Sequence, residues 1–166
     1  IIAAVGEMLR PVYRKDSLPG LMQTPHWDFL PLTDYLEWFA TLPAAVREQI
    51  DAYWGEAKKS PWVAQREDGT TGFVIPRLKL GQLVVLPQPP RGEIAIENTE
   101  EKLFHDTKIP TNHFYLATYL WLRTQQPAHA IIHFGTHGSQ EWTPGKERGL
   151  WAFDDPNLLV GNTPVI

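Results

Sequence analysis

Apolar residues fall at Val46, Ile50, Tyr53 and Trp54, a spacing of i, i+4, i+7 and i+8. On an α-helix these four form one stripe. Arg47, Glu48, Gln49 and Glu56 take the solvent side, and Lys58-Lys59 suit the negative C-terminal end of the dipole. Pro43 fits a first turn, so the spacing predicts a helix from Pro43 to about Lys58. Just upstream, Tyr35, Leu36, Trp38 and Phe39 make a shorter amphipathic helix that stops before Pro43, with Thr33 as its N-cap and Asp34 in its first turn. Ile1 to Leu9 is apolar enough for a short helix or strand, and Pro11 ends it. Pro19-Gly20 and Pro25 mark turns, so Arg10 to Pro31 reads as extended loop, with His26-Trp27 a structural pair inside it.

The pattern then changes. Gly72 to Ile75 and Leu78 to Leu86 read as strands, with partial alternation at Leu78, Leu80, Leu83 and Val85, and Pro76 marks a bulge or edge break. Pro87, Pro89, Pro90, Arg91 and Gly92 follow. A proline-rich loop with a single arginine suits either the rim of a ligand site or a solvated connector. Ile94 to Lys102 is polar and acidic and reads as exposed. Pro110 opens a helix, with Thr111 or Asn112 near its start. From Phe114 to Leu122 it is apolar nearly all round, which predicts a helix buried on most faces. His113 sits in its first turn, where the dipole favours the neutral imidazole of a base or ligand; a histidine that merely packs fits the spacing too. Ala130 to Phe134 reads as a short buried strand. Asp154-Asp155-Pro156 is a turn whose acidic pair suits an N-cap or a ligand, and Asn157 to Val160 a helical turn.

The fold class is therefore α/β, mixed helices packed on a small sheet. The expected organisation is a single domain or domain fragment over 1–166, with an extended lead-in over 1–30, a helical pair over 31–60 and an α/β part over 70–166. The chain starts without methionine and ends on the apolar Pro164-Val165-Ile166, so it is expected to be a fragment of a larger multidomain protein.

Composition narrows the chemistry. The 166 residues, 43% apolar and 20% charged, describe a globular chain with a core. The net charge of -4 argues against nucleic acid as a partner. The absence of cysteine excludes disulfides, thiolate metal sites and cysteine nucleophiles. No apolar run approaches the length of a membrane span, and Ile1 to Val5 is too short for a signal peptide.

The chemistry concentrates in Ile131 to Lys146, where His133, His137, Glu141 and Lys146 lie within fourteen residues. His133, His137 and Glu141 recur every fourth position, as on one face of a metal-binding helix. Gly135, Gly138 and Pro144 oppose a helix. A strand that delivers a glycine-rich loop is the better picture, because backbone without Cβ atoms can approach a ligand closely.

This stretch resembles the signature of the cobaltochelatase large-subunit and magnesium-chelatase H-subunit family, a strand followed by His-x-Gly-x-His-Gly-x-x-Glu-(Trp/Phe)-x-Pro-Gly-Lys. The match falls on His133, Gly135, His137, Gly138, Glu141, Trp142, Pro144, Gly145 and Lys146. Pro31 to Leu36, Phe104-His105-Asp106 and His113 to Ala117 are similar to further family segments, and the resemblance covers about residues 20 to 166. Trp142 and Tyr119 to Arg123 look like the cobalt branch; His133 to His137 looks more like the magnesium branch.

The resemblance implies a large subunit that binds a tetrapyrrole and inserts the metal. For the cobalt branch that means Co²⁺ as substrate and hydrogenobyrinic acid a,c-diamide as acceptor, on the aerobic route to cobalamin. The magnesium branch would insert Mg²⁺ into protoporphyrin IX. The resemblance further implies a cytoplasmic setting and partner subunits, an AAA+ ATPase and an integrin-like chain, that hydrolyse ATP with Mg²⁺. No Gly-x-x-x-x-Gly-Lys-Ser/Thr phosphate loop is present here.

Insertion must remove two protons from ring nitrogens and strip water from the metal. A base with pKa near neutral suits the first task, and imidazole with carboxylate suits Co²⁺ in the second. His137 and Glu141 are the candidates for base and transient ligand, with His133 the third member of a metal set. Lys146 and Arg91 suit the peripheral carboxylates of the macrocycle, and Trp142 its face. His105 and His113 are second-tier candidates. Two rival readings are a metal hydrolase with a 2-His-1-carboxylate site and a non-catalytic tetrapyrrole-binding module.

Overall fold

The computed structural model describes residues 1–92, 108–135, 143–144 and 151–166. Along the chain lie α1 (Ile2–Tyr13), α2 (Leu18–Leu21), β1 (Trp27–Pro31), α3 (Leu32–Ala40), α4 (Ala44–Trp54), β2 (Val63–Gln65), β3 (Thr71–Pro76), β4 (Leu78–Leu80), β5 (Leu83–Val85), α5 (His113–Thr124) and α6 (Asp155–Val160).

β3 is the centre of an antiparallel sheet of order β1-β3-β2. Trp27 pairs with Pro76 and Pro31 with Gly72 on one side, and Val63 pairs with Phe73 on the other. Gly72 through Pro76 are all buried. Such a strand reads as a continuous apolar run because both of its faces are covered. Gly72 is required by close approach: a Cβ there would run into the Leu30 carbonyl oxygen and the Phe29 ring. β4 and β5 form a separate two-stranded hairpin. Gly81, at φ +63°, supplies the left-handed residue of its two-residue turn.

Helix α5 is the spine of the core. Every side chain from His113 to Leu122 is buried. Phe114 stacks on Trp62 with centroids 3.9 Å apart, and Tyr35 of α3 meets Phe73 of β3 edge-on at 5.0 Å. Asn112 caps α5, its side-chain oxygen accepting from the Tyr115 N–H at 2.8 Å. An α/β mixture with helices on a small sheet is what the sequence predicts, and these elements bear that out.

The local predictions fare unevenly. The segment over 10–31 is not an extended loop. α1 runs through Pro11, and α2 and β1 follow. Pro11 lies only two residues before the helix end, so it removes one hydrogen bond, to the Glu7 carbonyl, and little helix follows it. Met8, 2% exposed, anchors the helix to the core. Thr33 is not the cap of α3. Both α3 and α4 begin directly after a proline held near φ -52°, Pro31 and Pro43. The Thr33 hydroxyl instead lies 3.2 Å from the Asp34 carboxylate. α4 ends at Trp54, before Lys58, because Gly55 turns the chain at φ +80°. The buried strand expected over 130–134 is reduced to one parallel bridge between Ile131 and Val165. Ile131 is buried, while Ile132 and Phe134 are 66% and 102% exposed.

Candidate active site

Two described anchors flank the glycine-rich loop. At its start, His133 is half-buried. Its backbone N–H donates to the Ile166 carbonyl at 2.9 Å, and its Nε2 lies 2.9 Å from the Tyr119 hydroxyl. Burial pushes its pKa down from the ordinary histidine value. Near the loop's far end, Thr143 is fully buried. Pro144 helps line a cavity of about 140 Å³ together with Ile50, Pro110, Trp151, Phe153 and Asp155.

The proline-rich segment over 87–92 and the start of α5 are tied together by polar side chains. Asn112 Nδ2 donates to the carbonyls of Pro90 (2.8 Å) and Arg91 (3.1 Å). Gln88 Nε2 donates to the hydroxyls of Tyr115 (2.5 Å) and Tyr119 (3.4 Å). The rings of Tyr115 and Tyr119 stack nearly parallel at 5.4 Å. Asn112, Tyr115 and Tyr119 stand at i, i+3 and i+7, so one face of an otherwise apolar helix carries a row of polar groups that ends at His133.

Arg91 does not stand on a rim. It is 2% exposed, and its guanidinium donates to the Ile109 carbonyl at 3.0 Å and the Thr111 hydroxyl at 3.3 Å. Thr111 in turn gives its backbone N–H, at 2.9 Å, and its hydroxyl to one oxygen of Asp155. Burial pushes the Asp155 carboxyl above its ordinary value, against the opposing pull of the Thr111 bonds and the Arg91 charge. Arg91 and Asp155 thus serve a buried corner that joins α5 to α6.

His113 is also internal, at 1% exposed. Its Nε2 donates to the Gly55 carbonyl at 2.8 Å, with the Asp51 carboxylate at 3.2 Å, and its Nδ1 lies 2.8 Å from the Tyr35 hydroxyl. A carbonyl only accepts, so the ring proton sits on Nε2 and Nδ1 accepts from Tyr35. Desolvation lowers its pKa, so the neutral form is favoured as the sequence predicts. Tyr35 and Phe39 pack edge-on against its ring, the packing arrangement that the spacing also allowed.

His105, His137, Glu141, Trp142 and Lys146 lie outside the described residues. Among the described residues no three His, Asp or Glu side chains converge on a metal position, and no helix is long and apolar enough to cross a membrane. Sequence reasoning missed Tyr119, Tyr115 and Gln88. The available signal was two tyrosines four apart on a buried helix, since buried hydroxyls require partners.

The family model described as CobN/Magnesium Chelatase matches residues 6–166. The chain belongs to that family. It is 39% identical over 137 residues to the aerobic cobaltochelatase subunit CobN of Pseudomonas aeruginosa, covering 82% of this chain and 10% of that protein. It is 32% identical over 117 residues to the magnesium-chelatase H-type subunit of Rhodobacter capsulatus, covering 70% and 9%. The fold matches the catalytic subunit of cobaltochelatase from Mycobacterium tuberculosis with a TM-score of 0.73 and 34% identity, over 95% of this chain and 13% of that one. The chain therefore spans about a tenth of the length of the chelatase subunits it matches. The resemblance read from the glycine-rich loop is confirmed at the level of the family.

Proposed function

We propose that this chain is part of the large subunit of an ATP-dependent cobaltochelatase that inserts Co²⁺ into hydrogenobyrinic acid a,c-diamide during aerobic cobalamin synthesis in the cytoplasm. The observation that carries the cobalt reading is the 39% identity to an aerobic cobaltochelatase subunit across four-fifths of the chain. The magnesium branch is the alternative, and the identity to its large subunits keeps it in view. ATP, with Mg²⁺, is hydrolysed by AAA+ and integrin-like partner subunits, not by this chain. The fragment alone does not turn over.

In this reading His137 and Glu141 share the roles of base and transient Co²⁺ ligand, Lys146 holds a peripheral carboxylate and Trp142 lies against the macrocycle face. The anchoring of the loop supports the assignment. His133, ahead of His137 in the chain, is tied to Tyr119 of α5, and Thr143, two residues after Glu141, is buried. The test is Glu141→Ala in the whole subunit, assayed with its ATPase partners for cobalt insertion and separately for macrocycle binding. Lost insertion with retained binding is expected. Unchanged insertion would remove Glu141 from the chemistry, and macrocycle binding alone, with no insertion by the unaltered subunit, would favour a non-catalytic binding module.

A further inference from the structure

Three parallel hydrogen bonds join the stretch just before the glycine-rich loop to residues 164–166. The Ile131 N–H donates to the Pro164 carbonyl at 2.8 Å, the Ile166 N–H to the Ile131 carbonyl at 2.9 Å, and the His133 N–H to the Ile166 carbonyl at 2.9 Å. Ile131 stands beside Val165 in this pairing, and side chains alternate across such a pair. Ile131, 9% exposed, and His133, bonded to Tyr119 of α5, lie on the core side. Ile132, Phe134 and Ile166 therefore share the other face, and they are 66%, 102% and 77% exposed.

That face does not have the character of one that meets water. Parallel strands occur almost only in sheets covered on both sides, where they read as continuous apolar runs rather than alternating ones. β3, buried from Gly72 to Pro76, reads that way. Ile131-Ile132 and Val165-Ile166 read the same way, yet only one of their faces is covered. The edge is open as well. The N–H and carbonyl of Ile132 have no hydrogen-bond partner among the described residues, and two strands alone with a bare apolar face are marginal in water.

We infer that 131–134 and 164–166 belong to a larger parallel sheet, and that their exposed face is covered by an apolar helix from another part of the same full-length subunit. This chain spans 10% of the Pseudomonas aeruginosa relative and 13% of the Mycobacterium tuberculosis one, so a subunit of that kind has ample chain outside this stretch to supply the cover. A parallel sheet grows by crossovers within one polypeptide, whereas two copies about a twofold axis meet edge to edge antiparallel. A partner that came and went would leave the open edge and the apolar face to water, an arrangement that aggregates. The inference rests on the reading of this chain as part of a longer large subunit. It does not depend on which metal or macrocycle that subunit takes.

The cover bears on the site. Phe134 directly precedes Gly135, so the covering helix lies beside the strand end that delivers the signature loop. Ligands of open parallel sheets bind outside the carboxyl ends of the strands. The same helix thereby walls the site on the side away from α5.

The experiment uses the whole subunit with Phe134→p-benzoylphenylalanine, a photoreactive side chain as apolar as the one it replaces. Irradiation is done with and without the ATPase partners, and linked peptides are read by mass spectrometry. The link should run to a segment of the same polypeptide outside residues 1–166, in a product of single-chain mass whose yield does not depend on protein concentration. Ile166→p-benzoylphenylalanine should link to the same segment. A link to a second copy, a link to an ATPase partner, links confined to residues 1–166, or no link would each overturn the inference. Phe134→Asp gives an independent reading. Under a cover the charge should abolish soluble expression or lower the first unfolding transition by more than about 4 °C; an unmoved transition would place the face in water and overturn the inference. Cobalt insertion by the unaltered subunit is assayed on the same preparation. Insertion without the link sinks the inference alone, and the link without insertion sinks the chelatase reading alone.

Discussion

Asp155 tests how the buried corner between α5 and α6 is held. Its carboxylate is 7% exposed, and one oxygen accepts both the backbone N–H and the hydroxyl of Thr111. Asp155→Ala orphans two buried donors. At about 1–3 kcal/mol for each, the cost is about 4 kcal/mol. Asp155→Asn keeps an oxygen where both bonds converge and removes only the charge. Burial already opposes that charge more strongly than Thr111 and Arg91 support it, so the neutral isostere should cost less than about 1 kcal/mol. The assay is urea unfolding followed by tryptophan fluorescence and circular dichroism. With a slope of about 2 kcal/mol/M, the midpoint should fall by about 2 M in the Ala variant and by less than about 0.5 M in the Asn variant. An Asn variant as unstable as the Ala variant would refute the reasoning. It would mean that the negative charge beside Arg91, not the acceptor, holds α5 to α6.

Other expectations follow from single contacts. Gly72→Ala, which drives a methyl into the Leu30 carbonyl and the Phe29 ring, should cost about 3 kcal/mol and lower Tm by about 6–12 °C in calorimetry. Gly161→Ala meets a backbone at φ +55° and the Arg123 guanidinium 2.5 Å from the new Cβ, and should cost about 1–3 kcal/mol in the same assay. His113 is buried neutral with its pKa lowered, so between its folded and unfolded values the unfolded chain binds the extra proton. Stability should therefore be fully present above the ordinary histidine value of 6.5 and decline as pH falls below it. Tm measured from about pH 7.5 down to about 5.5 should fall less steeply in His113→Gln than in the unaltered chain, and parallel slopes would contradict this assignment.

The sequence was most legible where periodicity decides structure. The stripe Val46, Ile50 and Trp54 and the apolar block after Pro110 gave α4 and α5, and the run Gly72 to Ile75 gave β3. α5 and β3 bury the faces their patterns mark, while in α4 Ile50 is buried, Val46 and Trp54 are half-buried and Tyr53 of the same predicted stripe is 51% exposed. It was least legible where a proline was read as a stop. Pro11, read as the end of the first segment, sits inside α1, whereas Pro43, read as the opening of the next helix, stands directly before α4. β1 and β2 were missed for a different reason. They are strands only because β3 pairs with them, and neither Trp27 to Pro31 nor Val63 to Gln65 alternates on its own. Of the candidate site, the family was legible in the loop signature, but the positions of Arg91 and His113 were not. Residue type announces a guanidinium or an imidazole. Burial decides whether it serves a ligand or the core, and burial is a tertiary property.

The same distinction explains why α5 matters to the loop. A helix buried on every face reads as pure core, and its apolar side chains do carry the packing against Trp62. Asn112 at its cap, Tyr115 and Tyr119 lie on one face, with Thr111 just ahead of it, and each must find a partner because an unsatisfied buried polar group is costly. Those partners are Gln88, the carbonyls of Pro90 and Arg91, Asp155 and His133. They come from three separate stretches of chain, and two of those stretches flank the loop that bears the family signature. The helix therefore holds His133 by a hydrogen bond and supports the core by packing, and substitutions on its two kinds of face should separate the two. Losing an apolar side chain such as Leu116 should lower Tm with little effect on macrocycle affinity per folded molecule. Losing the Tyr119 hydroxyl should do the reverse, and a Tyr119→Phe variant that lost stability without losing affinity would dissolve the link between helix and loop.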